Sequence, residues 1–452
     1  MPTIMWFRRD LRIADNPALC DAVTSAQSDG DGRVVPLFIV DPVLWASAGD
    51  VRRSYLASSL RSLDESLSGN LLIRYGSPES VLPSVVSAAS ASSVHIAADY
   101  APYGMRRDAA VRAALSCELV STGSPYAVAP GRVLKGDGTP FRVYTPFYKA
   151  WMVHGWRAPA PEHGDVTWWM PMECEGLPTA PTPAGMTLPV AGESAAWERW
   201  EVFRAAGLSS YDENRNRADL DGKSVLSHAL RWGEIHPRSL LAELNDSTGA
   251  EVFRKEIAWR EFYADVMFHN PSSVAESLDA RYDAILPWND DDELFEAWRL
   301  GRTGFPFVDA GMRQLLSTGW MHNRLRMVVA SFLVKDLHIT WQQGARYFMS
   351  MLVDGDIASN QHGWQWTAGC GTDASPYYRV FNPVLQGVKF DPDGDYVRRW
   401  VPELAHIPGK AVHEPWNVPD GYAHGYPEPI VDHSAERDEA LRRFALMKGK
   451  SV

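Results

Sequence analysis

Polar and aromatic side chains suited to binding a large ligand are concentrated between residues 312 and 378. Asn323 and Met327 lie four positions apart in a segment with helical periodicity, so a helix would place both on one face. Arg324 and Arg326 would lean to either side of that face. Burying such charges and amides costs several kcal/mol unless each finds a partner, and a polar, aromatic ligand would supply those partners.

The second half of the same stretch adds acidic, amide and indole groups. Asp354 and Asp356 stand on either side of a glycine, and Asn360 follows four residues later. Trp364 and Trp366 come next, two positions apart. Few protein cores need this combination of side chains, which therefore indicates a ligand pocket.

Another group of residues upstream is suited to phosphate. Tyr211 and Arg215 are followed by a loop that leads into a predicted helix: Gly222, Lys223, Ser224, Val225, Leu226 and Ser227. Free N–H groups, hydroxyl donors and the positive end of the helix dipole would make this loop a phosphate cradle. The alternative is an ordinary N-cap formed by Ser224.

A carboxylate and an indole that could face one pocket occur at Glu256 and Trp259. They are three positions apart on a predicted helix that continues through Arg260 and Tyr263. The alternative is an amphipathic helix that buries Trp259 in the core and leaves Glu256 in solvent. The sequence by itself leaves both interpretations open.

The composition bounds the kind of protein that carries these residues. At 452 residues, of which 45% are apolar, the chain is long enough for two or three domains. Its four cysteines lack CxxC spacing, so neither a disulfide framework nor a metal site is indicated, and a cytoplasmic location is expected. The N-terminus is unlike a signal peptide and no run of ~18 apolar residues occurs, which predicts a soluble protein without a membrane partner.

The charge of the chain does not exclude a nucleic-acid partner. A net charge of −12 argues against one by a crude rule, but that rule concerns local patches rather than totals. From Arg313 to Arg346 the basic residues Arg324, Arg326 and Lys335 add to the two end points, and Asp336 is the acidic residue among them. One basic face on an acidic protein therefore remains open.

The first ~120 residues alternate short apolar runs with helical segments, which predicts a parallel sheet covered by helices. The predicted strands are Thr3–Phe7, Val34–Val40, Leu71–Tyr75, Val94–Ala98 and Leu119–Ser121. The predicted helices between them are Pro17–Val23, Arg52–Leu67, Pro78–Ala89 and Met105–Leu115. The turn after the first strand lacks GxGxxG, so a dinucleotide fingerprint is absent.

Prolines interrupt the pattern from residue 126 to residue 192, which we predict to be an ordered linker without long helices. We therefore expect an α/β parallel-sheet N-terminal domain over residues 1–125 and an all-α C-terminal domain over residues 193–452. The helices predicted in the second domain are Trp197–Ala206, Val225–Trp232, Pro237–Leu244, Val252–Met267, Asp292–Leu300, Val308–Ser317, Arg324–Asp336 and Trp341–Leu352.

Several motifs, in order along nearly the whole chain, resemble those of one family: WFRRDLR near the N-terminus, WREFY at 259–263, TGWMHNRLRM at 318–327, DGD at 354–356, N…GWQW at 360–366 and FNP at 381–383. The chain is similar to class I cyclobutane-pyrimidine-dimer DNA photolyases of the photolyase/cryptochrome family. The resemblance implies FAD held in the helical domain. It also implies light-driven repair by electron transfer from excited, reduced FAD to a dimer flipped out of UV-damaged DNA.

The resemblance implies a role for each candidate residue. The catalytic residues would be Glu256, Trp259, Asn323, Met327, Asn360 and Trp366. FAD would be held by Tyr211, Lys223, Ser224, Val225, Leu226, Ser227, Glu256, Arg260, Tyr263, Arg326, Asp354, Gly355, Asp356 and Asn360. Electrons would enter through Trp288, Trp341 and Trp364. DNA would be contacted by Arg215, Trp259, Asn323, Arg324, Trp366, Lys389 and Arg398.

Two positions depart from the family pattern, and they affect local contacts rather than the bond-breaking step. Lys223 stands where threonine is usual, and Phe253 stands where tryptophan is common in some bacterial members. The alternative function is a cryptochrome-like blue-light photoreceptor of the same fold. A non-catalytic flavoprotein or DNA-binding module is a further alternative, which would leave Glu256 and Asn323 unexplained. We expect a monomer.

Family members carry a second, light-harvesting chromophore in the α/β domain. The folate-type pattern is missing here, because Ala48 stands where a histidine would be and no Asn-Glu pair follows the fourth strand. The Pro-Tyr-Gly turn after Asp99 instead resembles members that bind 8-hydroxy-5-deazaflavin. We therefore predict a deazaflavin antenna near Arg9, Val40 and Asp99, with folate or an empty cleft as the alternatives.

Overall fold

The computed structural model describes residues 1–29, 31–372 and 378–449. Its internal contacts divide the chain into two units, which are described separately. Unit 1 comprises Met1–Pro183, Pro189–Leu208 and Ser224–Pro271, and unit 2 comprises Ala184–Leu188, Ser209–Lys223 and Ser272–Val452. The predicted domain boundaries at residues 125 and 192 stay a prediction, because these units are defined by contacts and are not continuous along the chain.

Unit 1 is built on a parallel sheet with strand order β3-β2-β1-β4-β5, and β6 pairs with the start of β2. The strands are β1 (Thr3–Phe7), β2 (Arg33–Val40), β3 (Leu72–Tyr75), β4 (Ser93–Ile96), β5 (Glu118–Ser121) and β6 (Thr167–Trp168). Every residue of β1 is buried, as expected for a strand that is packed on both faces. The predicted fold class, a parallel sheet followed by a mostly helical region, is confirmed.

The helices follow the order of the chain. They are α1 (Pro17–Asp29), α2 (Pro42–Ser47), α3 (Asp50–Ser66), α4 (Pro78–Ala89), α5 (Pro102–Ala114), α6 (Tyr144–His154), α7 (Glu193–Ala206), α8 (Tyr211–Asn214), α9 (Ser227–Trp232), α10 (Pro237–Ala242), α11 (Thr248–His269), α12 (Arg281–Ala284), α13 (Asp292–Arg299), α14 (Pro306–Thr318), α15 (Asn323–Lys335), α16 (Trp341–Met351), α17 (Ile357–Ala368), α18 (Pro383–Phe390), α19 (Asp395–Trp400) and α20 (His433–Met447). Short 3-10 helices span Pro271–Val274, Pro402–Leu404, Gly409–His413 and Pro415–Asn417. In the described part of the chain, no helix combines the length and the apolar character needed to cross a bilayer.

Helix α6 corrects the prediction of a linker without long helices. It has Pro146 at its third position, where the backbone N–H has no partner within the helix, so the ring does not break it. The helix buries Tyr144, Phe147 and Trp151 on one face. The prolines of residues 126–192 therefore do not exclude a helix in this part of the chain.

Within unit 1, buried carboxylates join the segment around α9 and α10 to α3 and to the loop after β1. Asp15 accepts hydrogen bonds from Arg238 Nη2 at 2.6 Å and from Ser239 Oγ at 2.8 Å. Glu234 accepts from Tyr55 Oη at 2.7 Å and from Ser59 Oγ at 2.5 Å. Burial raises the pKa of Glu234 to about 7. Such paired, buried groups fix one relative position of the elements that carry them.

Unit 2 is a helical bundle whose core surrounds α15. That helix buries Leu325, Val328, Val329, Phe332 and Leu333. Fully buried indoles add to the same core, and Trp298 donates from Nε1 to the carbonyl of Val329 at 2.9 Å. The core thus holds α15 rigidly and leaves its first turn, which begins at Asn323, at the edge of the bundle.

Candidate functional site

In unit 1 the candidate residues lie on α11, a helix whose N-cap Ser247 accepts from the backbone N–H of Ala250 at 3.2 Å. Glu256 and Trp259 are both half-buried. The indole is thus not fully buried and the carboxylate is not fully solvated, and the assignment of both residues to one pocket stays a prediction. The opposite face of α11 is buried and anchors the helix in unit 1.

One face of the Trp259 indole is covered by a residue that the sequence did not indicate. The ring of Tyr144 stacks on it with centroids 3.7 Å apart and planes inclined by 8°. Tyr144 is itself held, because its hydroxyl donates to the carbonyl of Lys255 at 2.7 Å. Tyr148 stacks on the Tyr144 ring at 5.9 Å. The aromatic run in α6 was visible in the sequence, but nothing there connected it with α11.

The loop before α9 carries backbone strain. Val225 has a φ of 50°, a left-handed conformation that is rare for a β-branched residue and costs about 1–3 kcal/mol. The carbonyl of Ser224 is held by Arg199 Nε at 2.8 Å. The N-cap of α9 is Leu226, with no side-chain cap bond, so the alternative that Ser224 is an ordinary N-cap is wrong. The fixed, strained loop fits a binding role better than a structural cap.

Arg260 and Phe253 stabilise the surroundings of that loop. Arg260 donates to the carbonyls of Pro125 at 2.8 Å and Leu230 at 3.1 Å, which joins α11 to α9. Phe253, one of the two departures from the family pattern, stacks on Trp200 at 5.5 Å. The smaller ring is therefore well packed.

In unit 2 the first turn of α15 presents the predicted residues together. Asn323 is exposed, while Arg324, Arg326 and Met327 are half-buried. The N-cap is His322, a buried imidazole whose Nδ1 accepts from the backbone N–H of Arg324 at 3.0 Å. This cap fixes the direction in which the turn leaves the bundle.

The same turn is strongly electropositive. Burial lowers the pKa of His322 well below its usual value, and the cations of Lys223, Arg324 and Arg326 lower it further. The imidazole is therefore neutral at neutral pH. Three cationic side chains therefore lie close enough to this ring to act on it, and one of them, Arg326, is paired with Asp354.

The Arg326–Asp354 pair that the family resemblance implies is present as a bidentate ion pair. Arg326 Nη2 lies 2.7 Å from Asp354 Oδ2, and Nη1 lies 3.2 Å from Oδ1. Arg326 Nε donates to the carbonyl of Met321 at 2.9 Å. Asp356 is the N-cap of α17 and accepts from the backbone N–H of Ser359 at 3.0 Å. Gly355 is buried between the two aspartates.

Asn360 is oriented by its amide hydrogens. Its Nδ2 donates to the carbonyl of Ala345 at 3.1 Å and to Gln361 Oε1 at 2.7 Å. No donor within residues 1–29, 31–372 and 378–449 bonds its Oδ1. A buried amide whose acceptor stays open fits a ligand that offers an N–H, and the reduced isoalloxazine ring of FAD has one at N5. The residues present therefore fit FAD.

The three tryptophans predicted for electron entry, and Trp366, are in unit 2. Trp364 is buried on α17, Trp341 is fully buried with Nε1 2.9 Å from Ser277 Oγ, and Trp288 is half-buried with Nε1 3.0 Å from the carbonyl of Tyr282. Trp364 contacts the rings of Phe348 at 5.0 Å and Trp298 at 6.2 Å. Trp298 was not predicted, because a buried indole on an amphipathic helix has no sequence signal beyond packing. Trp366 is half-buried, with Arg379 5.1 Å from its ring centroid.

The remaining cations of unit 2 differ in what they contact. Lys223 Nζ donates to the carbonyls of Arg217 and Leu220, and Arg324 Nη2 donates to Asn216 Oδ1 at 2.7 Å. Tyr211 begins α8 and Arg215 is the C-cap residue of that helix, and both residues are half-buried.

The weaker DNA candidates, Lys389 and Arg398, differ in whether the side chain is bonded within the protein. Lys389 is exposed, whereas Arg398 donates to the carbonyl of Asp393 at 2.7 Å and to Asp395 Oδ1 at 2.5 Å. The side chain of Arg398 thus stabilises its own turn.

The predicted antenna residues lie at the carboxyl edge of the sheet in unit 1. Arg9 follows β1, Val40 ends β2 and Asp99 follows β4. Burial raises the pKa of Asp99, but Arg9, Arg107 and Arg8 outweigh it and hold the pKa below its usual value. A Cβ on Gly104 would lie 2.2 Å from the Asp99 carboxylate, so the glycine of the Pro-Tyr-Gly turn is required for close approach.

Comparison with known proteins agrees with this fold and these residues. The family description "DNA photolyase" matches residues 3–164, and "FAD binding domain of DNA photolyase" matches residues 253–446. The deoxyribodipyrimidine photo-lyase of Alkalihalophilus pseudofirmus is 39% identical over 97% of this chain and 97% of its own. A bacterial class III photolyase from Agrobacterium tumefaciens has a TM-score of 0.89 and 38% identity, covering 99% of this chain and 98% of its own.

A third similar protein is an archaeal photolyase from Sulfolobus tokodaii whose structure holds two FAD molecules. It has a TM-score of 0.84 and 29% identity, with 99% of this chain and 100% of its own covered. The chain belongs to the DNA photolyase family and has its FAD-binding domain. The class within the family stays a prediction.

Proposed function

We propose that this protein is a deoxyribodipyrimidine photo-lyase that repairs cyclobutane pyrimidine dimers in UV-damaged DNA with light. The observation that carries the proposal is Asn360, whose carbonyl has no donor in the described part of the chain while both amide hydrogens are bonded. FAD held at this site in its reduced form would supply the light-driven transfer of one electron to the dimer and back, with no net redox change. The rest of the chemistry is binding and orientation by the protein.

The residues proposed to hold FAD have distinct tasks. Asn360 Oδ1 would accept a hydrogen bond from the flavin ring, and the ion pair of Arg326 and Asp354 would supply a fixed pair of opposite charges for it. The Ser224–Ser227 loop and Tyr211 supply N–H and hydroxyl donors for phosphate oxygens. The backbone at Val225 is strained, and the energy of binding a phosphate group at this loop would compensate for that strain.

The residues proposed to hold the substrate act on two adjacent, covalently joined pyrimidines that are no longer stacked in DNA. Trp259 and Trp366 stack on it, Glu256 and Asn323 hydrogen-bond it, and Met327 packs against it. The Tyr144 ring stacks on one face of the Trp259 indole and so fixes the angle of the indole. Flipping bases out of the duplex costs least when those bases are already damaged, which favours lesions over intact DNA.

DNA phosphates are proposed to lie along the electropositive turn of unit 2. Arg215, Arg324 and Lys389 are the proposed contacts, with Arg398 as the weakest because its donors are engaged within its own turn.

Electron entry during activation is proposed through Trp364, Trp341 and Trp288. A monomer is sufficient for these roles.

For the antenna we propose 8-hydroxy-5-deazaflavin at the sheet edge formed by Arg9, Val40 and Asp99. Ligands of open parallel sheets bind outside the carboxyl ends of strands where the strand order reverses, here between β1 and β4.

The test of the antenna proposal is purification of the protein from a host that makes deazaflavin and from one that does not. One deazaflavin per chain in the first preparation, reduced in Asp99→Asn, is expected. Folate or a second FAD in both preparations would contradict the proposal.

The repair activity is tested on oligothymidine that contains cyclobutane dimers. We expect dimers to disappear under near-ultraviolet or blue light and to persist in the dark. A blue-light photoreceptor of the same fold would bind FAD and change its redox state in light but leave the dimers intact. Persistence of the dimers in light with reduced FAD bound would therefore favour that alternative.

A further inference from the structure

A groove of about 790 Å³ in unit 1 is not used by any role described so far. One wall is formed by residues that follow β4 and β5, at the carboxyl edge of the sheet. The other wall is the loop around residues 126–132 and the end of α6. Its volume lies within the ~300–1,000 Å³ typical of small-molecule sites.

The groove is separate from the predicted antenna edge. Asp99 turns toward α5, where Arg107 Nη2 donates to its Oδ2 at 3.3 Å. The next residue, Tyr100, turns away from α5 and packs against Phe268 at 5.9 Å and Tyr126 at 6.5 Å. The two neighbouring side chains therefore line different sites.

The outer wall of the groove is fixed by two buried carboxylates of α11. Glu261 accepts from the backbone N–H of Val128 at 3.0 Å and from Trp151 Nε1 at 2.7 Å. Asp265 accepts from the backbone N–H of Gly131 at 2.7 Å. Gly131 has a φ of +81°, and a Cβ there would lie 2.7 Å from the Phe268 ring, so the loop follows one path. The wall is thus preorganised rather than an open surface loop.

The charges that line the groove are positive. The lining residues include Arg132, Arg157 and Arg238 and no carboxylate. Asp15 balances Arg238 at 2.6 Å, whereas Arg132 and Arg157 are exposed and have no acidic partner in the described part of the chain. Burial lowers the pKa of Arg238, Asp15 raises it, and Arg157 lowers it again, so two cations repel each other here. An anion in the groove would relieve that repulsion.

The groove also offers aromatic rings. Trp156 is half-buried, with its ring packed on Trp151 at 4.5 Å, and Tyr100 is half-buried as well. Burial raises the pKa of the Tyr100 hydroxyl while the nearby Arg132 opposes the rise, so a cation and a ring lie close together. Planar rings beside unpaired guanidinium groups match a ligand with a flat heterocycle and an anionic tail.

We propose that this groove binds a free nucleotide. The base packs on Tyr100 or Trp156, and the phosphates are held by Arg132 and Arg157. The site lies on residues that no part of the repair reaction uses, so it is a second nucleotide site in addition to that for FAD. The loop of residues 126–132 is fastened to the helix that carries Trp259, so an occupied groove also braces that helix.

The test is calorimetric titration of ADP into the full-length protein with FAD bound. We expect one ADP per chain, binding at least tenfold weaker in the double variant Arg132→Ala/Arg157→Ala and several-fold weaker in Trp156→Ala. Arg106→Ala removes an exposed arginine on α5 outside the groove and serves as the matched control, with unchanged affinity. Dimer repair by the double variant should stay at the wild-type rate.

Three outcomes would overturn the proposal. The first is no binding of ADP, or binding that the double variant leaves unchanged. The second is tripolyphosphate binding as tightly as ADP, since the aromatic wall would then contribute nothing. The third is an undamaged oligonucleotide that binds through Arg132 and Arg157 when ADP does not, because the groove would then belong to DNA.

Discussion

Stacking is the residue-scale feature on which the proposed substrate recognition depends. Trp259 is half-buried and lies 3.7 Å from the Tyr144 ring, so one indole face is supported while the residue stays accessible. Because stacking on an aromatic ring contributes ~1–3 kcal/mol per base, we expect Trp259→Ala to weaken binding of dimer-containing DNA roughly 10- to 100-fold. FAD should stay bound. The measurement is a titration with damaged and intact oligonucleotides of one sequence.

Two controls separate stacking from a loss of folding. Tyr144→Phe keeps the supporting ring and should keep most of the affinity, whereas Tyr144→Ala should lose part of it. Affinity for the intact oligonucleotide should change little in each variant. Unchanged affinity of Trp259→Ala for dimer-containing DNA would remove Trp259 from the substrate site.

Asn360 allows a test of flavin binding that does not depend on repair. If its Oδ1 accepts a hydrogen bond from the N–H of reduced FAD, Asn360→Ala loses a bond that stabilises the reduced form by about 1 kcal/mol. The two-electron midpoint potential should fall by about 20 mV. Redox titration of the bound flavin measures it, with Ser359→Ala as the control from the same helix turn. An equal potential in Asn360→Ala and wild type would contradict the assigned contact.

At the scale of elements, the packing of α16 against α17 sets the position of Trp364. A Cβ on Gly344 would lie 2.2 Å from Trp364 Cη2 and 2.6 Å from Leu333 Cδ2, so only glycine lets α16 approach this closely. We expect Gly344→Ala to lower the free energy of unfolding by about 1–3 kcal/mol through overpacking. Displacement of Trp364 should also slow the reduction of bound FAD by light.

Gly363 on α17 provides the matched control. Nothing lies within 4 Å of a Cβ built there, and its φ is not in the left-handed region. Gly363→Ala should therefore raise stability by up to about 1 kcal/mol through helix propensity. Urea unfolding of both variants measures the difference. A rise in stability in both variants would show that propensity, not packing against Trp364, decides the effect.

The sheet was largely predictable from the sequence and the helices were predictable in part. The strands of unit 1 are apolar runs that end in charged or polar residues, and β1 has the predicted bounds. Helix α17 was missed because Asn360, His362 and Gly363 interrupt its apolar pattern. Helix α9 was predicted from Val225 but begins at Ser227, since the strained backbone at Val225 is incompatible with a helix.

The candidate site was predictable only to the level of motifs. The family resemblance indicated Arg326 and Asp354, and their ion pair is present. Tyr144, Trp298 and His322 were missed as partners, because each acts through a contact between segments far apart in sequence. Such contacts depend on tertiary packing, which a single sequence does not encode as a local pattern.

At the scale of the whole molecule, an acidic chain must attract DNA through a local field. Neutralising one phosphate contributes about −0.9 to the slope of log affinity against log salt. Exposed Lys389 should therefore lower the magnitude of that slope by about 1 when changed to alanine. Arg398→Ala should change the slope less and the melting temperature more, because the side chain bonds its own turn. An equal loss of slope would show that Arg398 leaves that turn to bind phosphate.

The most direct test of the central claim, light-driven dimer repair by bound FAD, is an action spectrum. Dimer loss from oligothymidine is measured per absorbed photon at several near-ultraviolet and blue wavelengths, with chemically reduced holoprotein and a dark control. Repair should occur only in light, and its wavelength dependence should follow the absorption of bound reduced FAD together with that of any antenna present. Dimer loss that is equal in the dark, or none at wavelengths that reduced FAD absorbs, would contradict the account.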